Sequence, residues 1–168
     1  RDLPLAARVC AAVVAASSVP VSVKFRKGWD EDHVNAVEFA RAMQDSGAAS
    51  LAVHGRTYKQ LFSGSSDPRI IAAVKAAVRI PVYASGDINS PAAARRIAAE
   101  TGCDGLMIGR GALGDPWLFE RINAVLTGQP EPGEPSLNAR MSALRAQIYE
   151  MCEEKGEWTA MPQARGQA

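Results

Sequence analysis

Four short apolar runs divide the chain into repeating units. They lie at residues 21–25, 51–53, 82–84 and 106–108, and each is followed by a polar or glycine-rich loop. Short apolar runs bounded by turn residues are typical of strands buried in a parallel sheet. The pattern therefore predicts four buried strands, each leading through a loop into a helix.

Apolar residues recur at helical spacing between these runs. Two stripes stand out, one made of Ala36, Phe39, Ala40 and Met43, the other of Ile70, Ile71, Val74, Ala77 and Val78. Helix starts are predicted where a capping side chain precedes proline, at Asp67-Pro68, Ser90-Pro91 and Asp115-Pro116. Helix ends are predicted at Gly47, Gly102 and Gly128.

Alternating strands and helices with short links indicate a parallel α/β fold, either an open doubly wound sheet or a (βα)8 barrel. Strand starts at 21, 51, 82 and 106 are 30, 31 and 24 residues apart, a spacing typical of barrel units. Four strands would leave both sheet edges open. We interpret residues 1–128 as the second half of a (βα)8 TIM barrel, expect the chain to be a piece of a longer enzyme, and consider self-association through the open edges.

The composition changes after Gly128. Residues 129–135 (QPEPGEP) form a proline-rich linker, and Ser136 is placed to cap a new helix. Its apolar stripe comprises Met141, Leu144, Ile148 and Met151 or Cys152. Residues 136–168 are thus predicted to begin a helical domain that is truncated.

Charge and cysteine content narrow the function classes only slightly. The formal net charge is +1, so it neither demands nor excludes a polyanionic partner. The three cysteines, Cys10, Cys103 and Cys152, lack the C-x-x-C spacing of a zinc site, and they indicate a reducing compartment. We expect no metal, and no apolar run is long enough for a membrane span.

Residues 109–114 (GRGALG) match the dinucleotide fingerprint G-x-G-x-x-G directly after a strand. That fingerprint also requires a following strand that ends in an acidic residue, whereas the next candidate, Glu134, lies in the linker. A barrel offers another interpretation, because phosphates often bind between the loops after its last two strands. The loops Ser85-Gly86-Asp87 and Gly109-Arg110 then predict a phosphate site, although their glycines could simply permit tight turns.

Polar residues also end the first two strands. Lys24 is predicted to face the barrel interior, although a lysine there could instead reach solvent at the rim. His54 and Arg56 follow the second strand, where barrel enzymes place ligand groups. With Asp87 and Arg110 they predict a mostly cationic ring for an anionic, planar ligand with a phosphate tail. Flavin mononucleotide (FMN) and a sugar phosphate both fit.

Four segments in this order resemble the bacterial tRNA-dihydrouridine synthases: VSVKFRKGW, LAVHGRTYKQLFSGSSD, IPVYASGDI and CDGLMIGRGALGDPWLF. The resemblance covers residues 1 to about 128 and extends into the helical segment. It implies a cytoplasmic FMN-dependent oxidoreductase that uses NADPH to reduce the C5=C6 bond of uridine in tRNA. It also implies that the helical segment begins a tRNA-binding domain.

The resemblance assigns roles to individual residues. Lys24 and His54 correspond to flavin contacts, and residues 85–87 with Gly109 and Arg110 correspond to the phosphate site. Two departures stand out. Ser85 replaces the asparagine usual in the family, and the general-acid cysteine belongs to a segment that would precede Arg1. We therefore expect no catalytic residue in this chain and no activity from it alone. The alternatives are a dihydroorotate dehydrogenase-like FMN barrel and a non-catalytic phosphate-binding half barrel.

Overall fold

The computed structural model describes residues 2–165. These residues form four strands and seven α-helices, which alternate from α1 to α5 and are followed by two further helices. The strands are β1 (Ser22–Arg26), β2 (Ser50–His54), β3 (Val82–Ser85) and β4 (Gly105–Met107). The helices are α1 (Leu3–Ala16), α2 (Ala36–Asp45), α3 (Pro68–Ala77), α4 (Pro91–Thr101), α5 (Leu118–Leu126), α6 (Leu137–Lys155) and α7 (Glu157–Ala164). A short 3-10 helix (Arg110–Ala112) follows β4.

The strands form one parallel sheet in the order β1-β2-β3-β4, so each strand pairs with the next along the chain. This order confirms the predicted α/β architecture and matches four consecutive units of a (βα)8 barrel. Because side chains alternate across a strand, the sheet has two different faces. Leu51, Val53, Val82 and Ala84 point to the helices and are buried.

The opposite face of the sheet corresponds to the interior of a barrel. Lys24 on β1 lies beside Ala52 on β2, and Ala52 lies beside Tyr83 on β3. Lys24 is exposed, and Tyr83 and Met107 are 37% and 38% exposed. These three side chains lie on the face that corresponds to a barrel interior, and in this structure they are exposed to solvent.

Capping side chains fix the predicted helix starts in two of three places. Asp67 accepts a hydrogen bond from the Arg69 amide at the start of α3, and Ser90 accepts one from Ala93 at the start of α4. The third prediction was wrong, because α5 begins at Leu118 and its N-cap is Trp117. The Asp115 carboxylate is instead bonded to the Arg121 guanidinium.

The end of the described chain is helical, as expected from Ser136. This residue caps α6 by accepting a hydrogen bond from the Ala139 amide. Gly156, with φ +76°, ends α6 and begins α7. Between α5 and α6, residues 129–135 contain neither helix nor strand.

Candidate functional site

The carboxyl end of β2 is the centre of a buried polar cluster. His54, the last residue of β2, is 8% exposed, and Arg56 is 3% exposed. On the neighbouring strand, Arg26 lies beside His54. Its guanidinium donates hydrogen bonds to the carbonyl oxygens of Thr57 at 2.9 Å and Leu61 at 2.7 Å. The end of β1 thereby holds the loop that follows β2.

The loops after β2 and β3 are joined through Asp87. Its carboxylate accepts a hydrogen bond from the Ser66 amide at 2.7 Å and forms an ion pair with the Arg56 guanidinium at 2.8 Å. Gly86 and Asp87 both have positive φ, +114° and +55°. This left-handed pair is strained at the aspartate, and the two partners on the β2 loop stabilise it.

The electrostatic state of Asp87 follows from this pairing. Burial raises the pKa of its carboxyl, but the Ser66 amide and Arg56 together hold the pKa below its ordinary value. Asp87 is therefore ionised at neutral pH, and Arg56 neutralises its charge.

The loop after β4 contacts the loop after β3. A side chain at Gly111 would overlap the backbone carbonyl of Ile88, so only glycine permits this approach. Nothing lies within 4 Å of the position a Cβ would take at Gly109. The backbone at Gly109 is thus open to a ligand, whereas the backbone at Gly111 is packed against the protein.

Arg110 reaches back across the site to the β2 loop. Its guanidinium carbon lies 4.0 Å from the centroid of the Phe62 ring, and that of Arg26 lies 5.7 Å from the same ring. Stacking on an aromatic face leaves the N–H groups of a guanidinium directed outward in its plane. Arg110 is exposed, so this geometry suits recognition of a phosphate by its edge.

His54 is neutral in this environment. Burial is the main cause that lowers the pKa of its imidazole to about 4, and the charges of Arg26, Arg56 and Lys24 add to the effect. Because Arg56 neutralises the charge of Asp87, the remaining charges around the imidazole ring are positive. A site with this charge fits an anionic ligand, and FMN is such a ligand.

The structure brings the predicted residues together in three groups. His54 and Arg56 are buried and the half-buried Asp87 pairs with Arg56, while Ser85 lies beside His54 in the sheet. Lys24 lies on the same sheet face as His54. Gly86 links the cluster to β3. Gly109 and Arg110 belong to the loop after β4, where the Arg110 guanidinium stacks on the Phe62 ring.

Three contributors to this arrangement did not emerge from the sequence: Arg26, Phe62 and Ser66. Arg26 could have been found, because it is two residues after Lys24 and must share its face of β1. Phe62 and Ser66 depend on the path of the β2 loop, for which the sequence has no periodic signal. The burial of Arg56 was missed for the same reason.

Neither a metal site nor a membrane span was found in the part of the chain that the structure describes. Residues 2–165 contain no group of three or more histidine, cysteine or acidic residues arranged to hold a metal ion. None of their helices is both long and apolar enough to cross a membrane.

Comparison with known proteins decides the family. The model of the dihydrouridine synthase (Dus) family matches residues 1–168. The chain belongs to the dihydrouridine synthase family. It is 51% identical over 138 residues to tRNA-dihydrouridine synthase B of Xanthomonas axonopodis pv. citri, a match that covers 82% of this chain. It is 39% identical over 165 residues, or 98% of this chain, to a probable tRNA-dihydrouridine synthase of Rickettsia conorii.

These matches cover 41% of the Xanthomonas relative and 50% of the Rickettsia relative, so this dihydrouridine synthase chain spans about half of their length or less. Among solved structures, a putative phosphonomutase from Burkholderia cenocepacia is 22% identical with a TM-score of 0.52, covering 84% of this chain and 65% of that one. A mandelate oxidase variant is 19% identical with a TM-score of 0.51, covering 71% and 42%. At these identities the likeness concerns the fold alone.

Proposed function

We propose that this chain forms the phosphate-binding side of an FMN-dependent tRNA-dihydrouridine synthase. The observation that carries the proposal is the match of the dihydrouridine synthase family over residues 1–168. The contacting loops after β3 and β4 add support, because they combine an open glycine backbone with an exposed arginine, Arg110. Such a pair of loops is where barrel enzymes commonly hold a phosphate.

The proposed binding residues divide between the two parts of the cofactor. Lys24 and His54 would contact the flavin ring, since they share the barrel-interior face of the sheet. The phosphate would be surrounded by Ser85, Gly86, Asp87, Gly109 and Arg110. Asp87 acts there through its pairing with Arg56, because its own negative charge opposes a phosphate.

The chemistry proposed for the enzyme is reduction of the C5=C6 bond of uridine, with NADPH as the reductant. FMN, when bound, would supply the hydride. Lys24 would stabilise negative charge in its vicinity, since it carries a cation on the barrel-interior face. The general acid is proposed to be a cysteine outside these 168 residues, so that this chain alone binds without catalysing.

The tRNA partner is proposed from the names of the relatives. A uridine in tRNA must leave its base stack to reach the end of a barrel, as in other enzymes that modify bases. Residues 136–168 would begin the domain that docks the tRNA, in the cytoplasm. The charges of this segment balance, since four basic residues face an equal number of acidic ones: Arg140, Arg145, Lys155 and Arg165 against Glu150, Glu153, Glu154 and Glu157. Arg140 is in addition paired with Glu134 of the linker.

A chimaeric enzyme tests the proposal. The matching segment of the Xanthomonas relative is replaced by the corresponding residues of this chain, and the protein is incubated with FMN, NADPH and tRNA that lacks dihydrouridine. Mass spectrometry of the digested tRNA should detect dihydrouridine, and a Lys24→Met chimaera should form much less. A folded chimaera that binds FMN yet forms no dihydrouridine would contradict the proposed reaction.

A further inference from the structure

The Arg56 guanidinium is enclosed by acceptors from two loops. Its Nε donates to the Ser63 carbonyl oxygen at 3.0 Å, and Nη2 donates to the Gly64 carbonyl oxygen at 2.6 Å and to the Asp87 carboxylate. The remaining nitrogen, Nη1, lies 3.3 Å from Nε2 of His54. Arg56 is 3% exposed. A buried side chain held at this many points has one orientation, and that orientation directs an N–H group at the histidine ring.

The imidazole of His54 is held in a matching orientation. Its Cδ2 atom packs against Gly86, where an added Cβ would lie only 2.8 Å from it. Turning the ring over would put the Cε1–H group against the guanidinium and lose the contact with Nε2. The ring therefore keeps Nε2 on the Arg56 side.

A guanidinium has donors and no acceptor, so an imidazole nitrogen bonded to it must accept. A neutral imidazole carries its proton on the other nitrogen. We propose that Arg56 is a positioning residue that fixes His54 as the neutral tautomer with the proton on Nδ1. His54 then offers a ligand one neutral N–H donor and no positive charge. The tautomer itself does not depend on which ligand binds. Only the statement that the ligand is FMN rests on the proposed function.

The charges around His54 favour its neutral form. Lys24, Arg26 and Arg56 act on the ring with positive charge, and Asp87 opposes them with a negative one. A protonated His54 would add a cation to this group and place an N–H opposite the N–H of Arg56. The cations on this face of the sheet are accordingly Lys24 and Arg26, and His54 has a separate role as a donor.

Nitrogen NMR of the chain itself tests the assignment, without cofactor or substrate. The chain has two histidines, so His33→Gln leaves His54 as the only histidine signal. With ¹⁵N-labelled histidine, Nδ1 should give a protonated signal and Nε2 an unprotonated one, unchanged between about pH 5 and pH 8. A proton on Nε2, or a doubly protonated ring in this range, overturns the proposal.

Variants test whether Arg56 is the cause. Arg56→Met removes the donors that face Nε2, and we expect the protonated fraction of Nδ1 to fall in favour of Nε2. An unchanged tautomer in the folded variant overturns the role of Arg56. If Arg56→Met does not fold, Arg56→Gln, whose side-chain oxygen can accept a hydrogen bond from Nε2, is read in the same way. FMN binding is not part of this readout, so failure here is distinguishable from failure of the proposed function.

Discussion

The Arg110 guanidinium lies over the Phe62 ring, with 4.0 Å between its carbon and the ring centroid. This contact joins the loop after β4 to the loop after β2, across the end of β3. It explains how an exposed arginine, on a loop with an open glycine beside it, takes a defined orientation. Phe62 therefore belongs to the proposed phosphate site although it offers no polar atom.

Replacing Phe62 should weaken binding of the phosphate and spare binding of the ring. A cation–π contact at an exposed site contributes about 0.5–1 kcal/mol, so Phe62→Leu should weaken FMN binding about 2- to 5-fold. Riboflavin lacks the phosphate, and its affinity should not change. Fluorescence titrations of both flavins measure the difference. Tyr58→Leu is the control, because Tyr58 lies in the same loop as Phe62 but stacks on Trp29 of the loop after β1. An equal effect of both variants would refute the role of Phe62.

Acid should destabilise the fold through His54 before the carboxylates take part. Its pKa is about 4 in the folded chain and 6.5 in an ordinary environment. Below pH 6.5 the unfolded state therefore binds the proton more readily, and stability is lost as the pH falls from about 6.5 to about 4. Urea unfolding across this window should show the loss in the parent chain and not in His54→Gln. His33→Gln, which changes an exposed histidine, should keep it.

Gly86 should be among the least replaceable glycines of the site. Its φ is +114°, and an added Cβ would lie 2.5 Å from Ser66 Oγ and 2.8 Å from His54 Cδ2. Strain and overpacking of this kind each cost about 1–3 kcal/mol, so Gly86→Ala should lower the free energy of unfolding by at least that amount. Gly133→Ala, in the linker with open space around it, should change it by less than about 0.5 kcal/mol. Equal effects in denaturant unfolding would show that the close approach at Gly86 is not needed.

The open sheet face should cause this chain to associate. Tyr83 and Met107 present exposed apolar surface there, next to sheet edges at β1 and β4 that have no partner strand among the described residues. Sedimentation velocity should show species larger than 17.8 kDa that grow with concentration. The double variant Tyr83→Ser with Met107→Ser should reduce them. Trp158→Ser, at an exposed position on α7, serves as the control, and association insensitive to the double variant would exclude this face.

The sequence predicted the parts of the molecule that depend on local patterns. Apolar runs marked all four strands to within two residues, and Asp67 and Ser90 marked two helix starts. The helix start predicted at Asp115 was wrong, because the Asp115 carboxylate binds the Arg121 guanidinium instead of capping the helix. A sequence does not show which of two partners a carboxylate will bind. The burial of Arg56 was not predicted either. Its acceptors belong to the loops after β2 and β3, whose paths are set by contacts far along the chain.

Titration of this chain with FMN, beside its Arg110→Ala variant, tests the central claim most directly. Flavin fluorescence should report a dissociation constant in about the micromolar range or below. Loss of a hydrogen bond to a charged group costs about 1.5–3 kcal/mol, so the variant should bind about 10- to 150-fold more weakly. Retained folding of the variant, measured by circular dichroism, makes the comparison valid. A folded parent chain that binds no FMN, or binds it equally well without Arg110, would contradict the account.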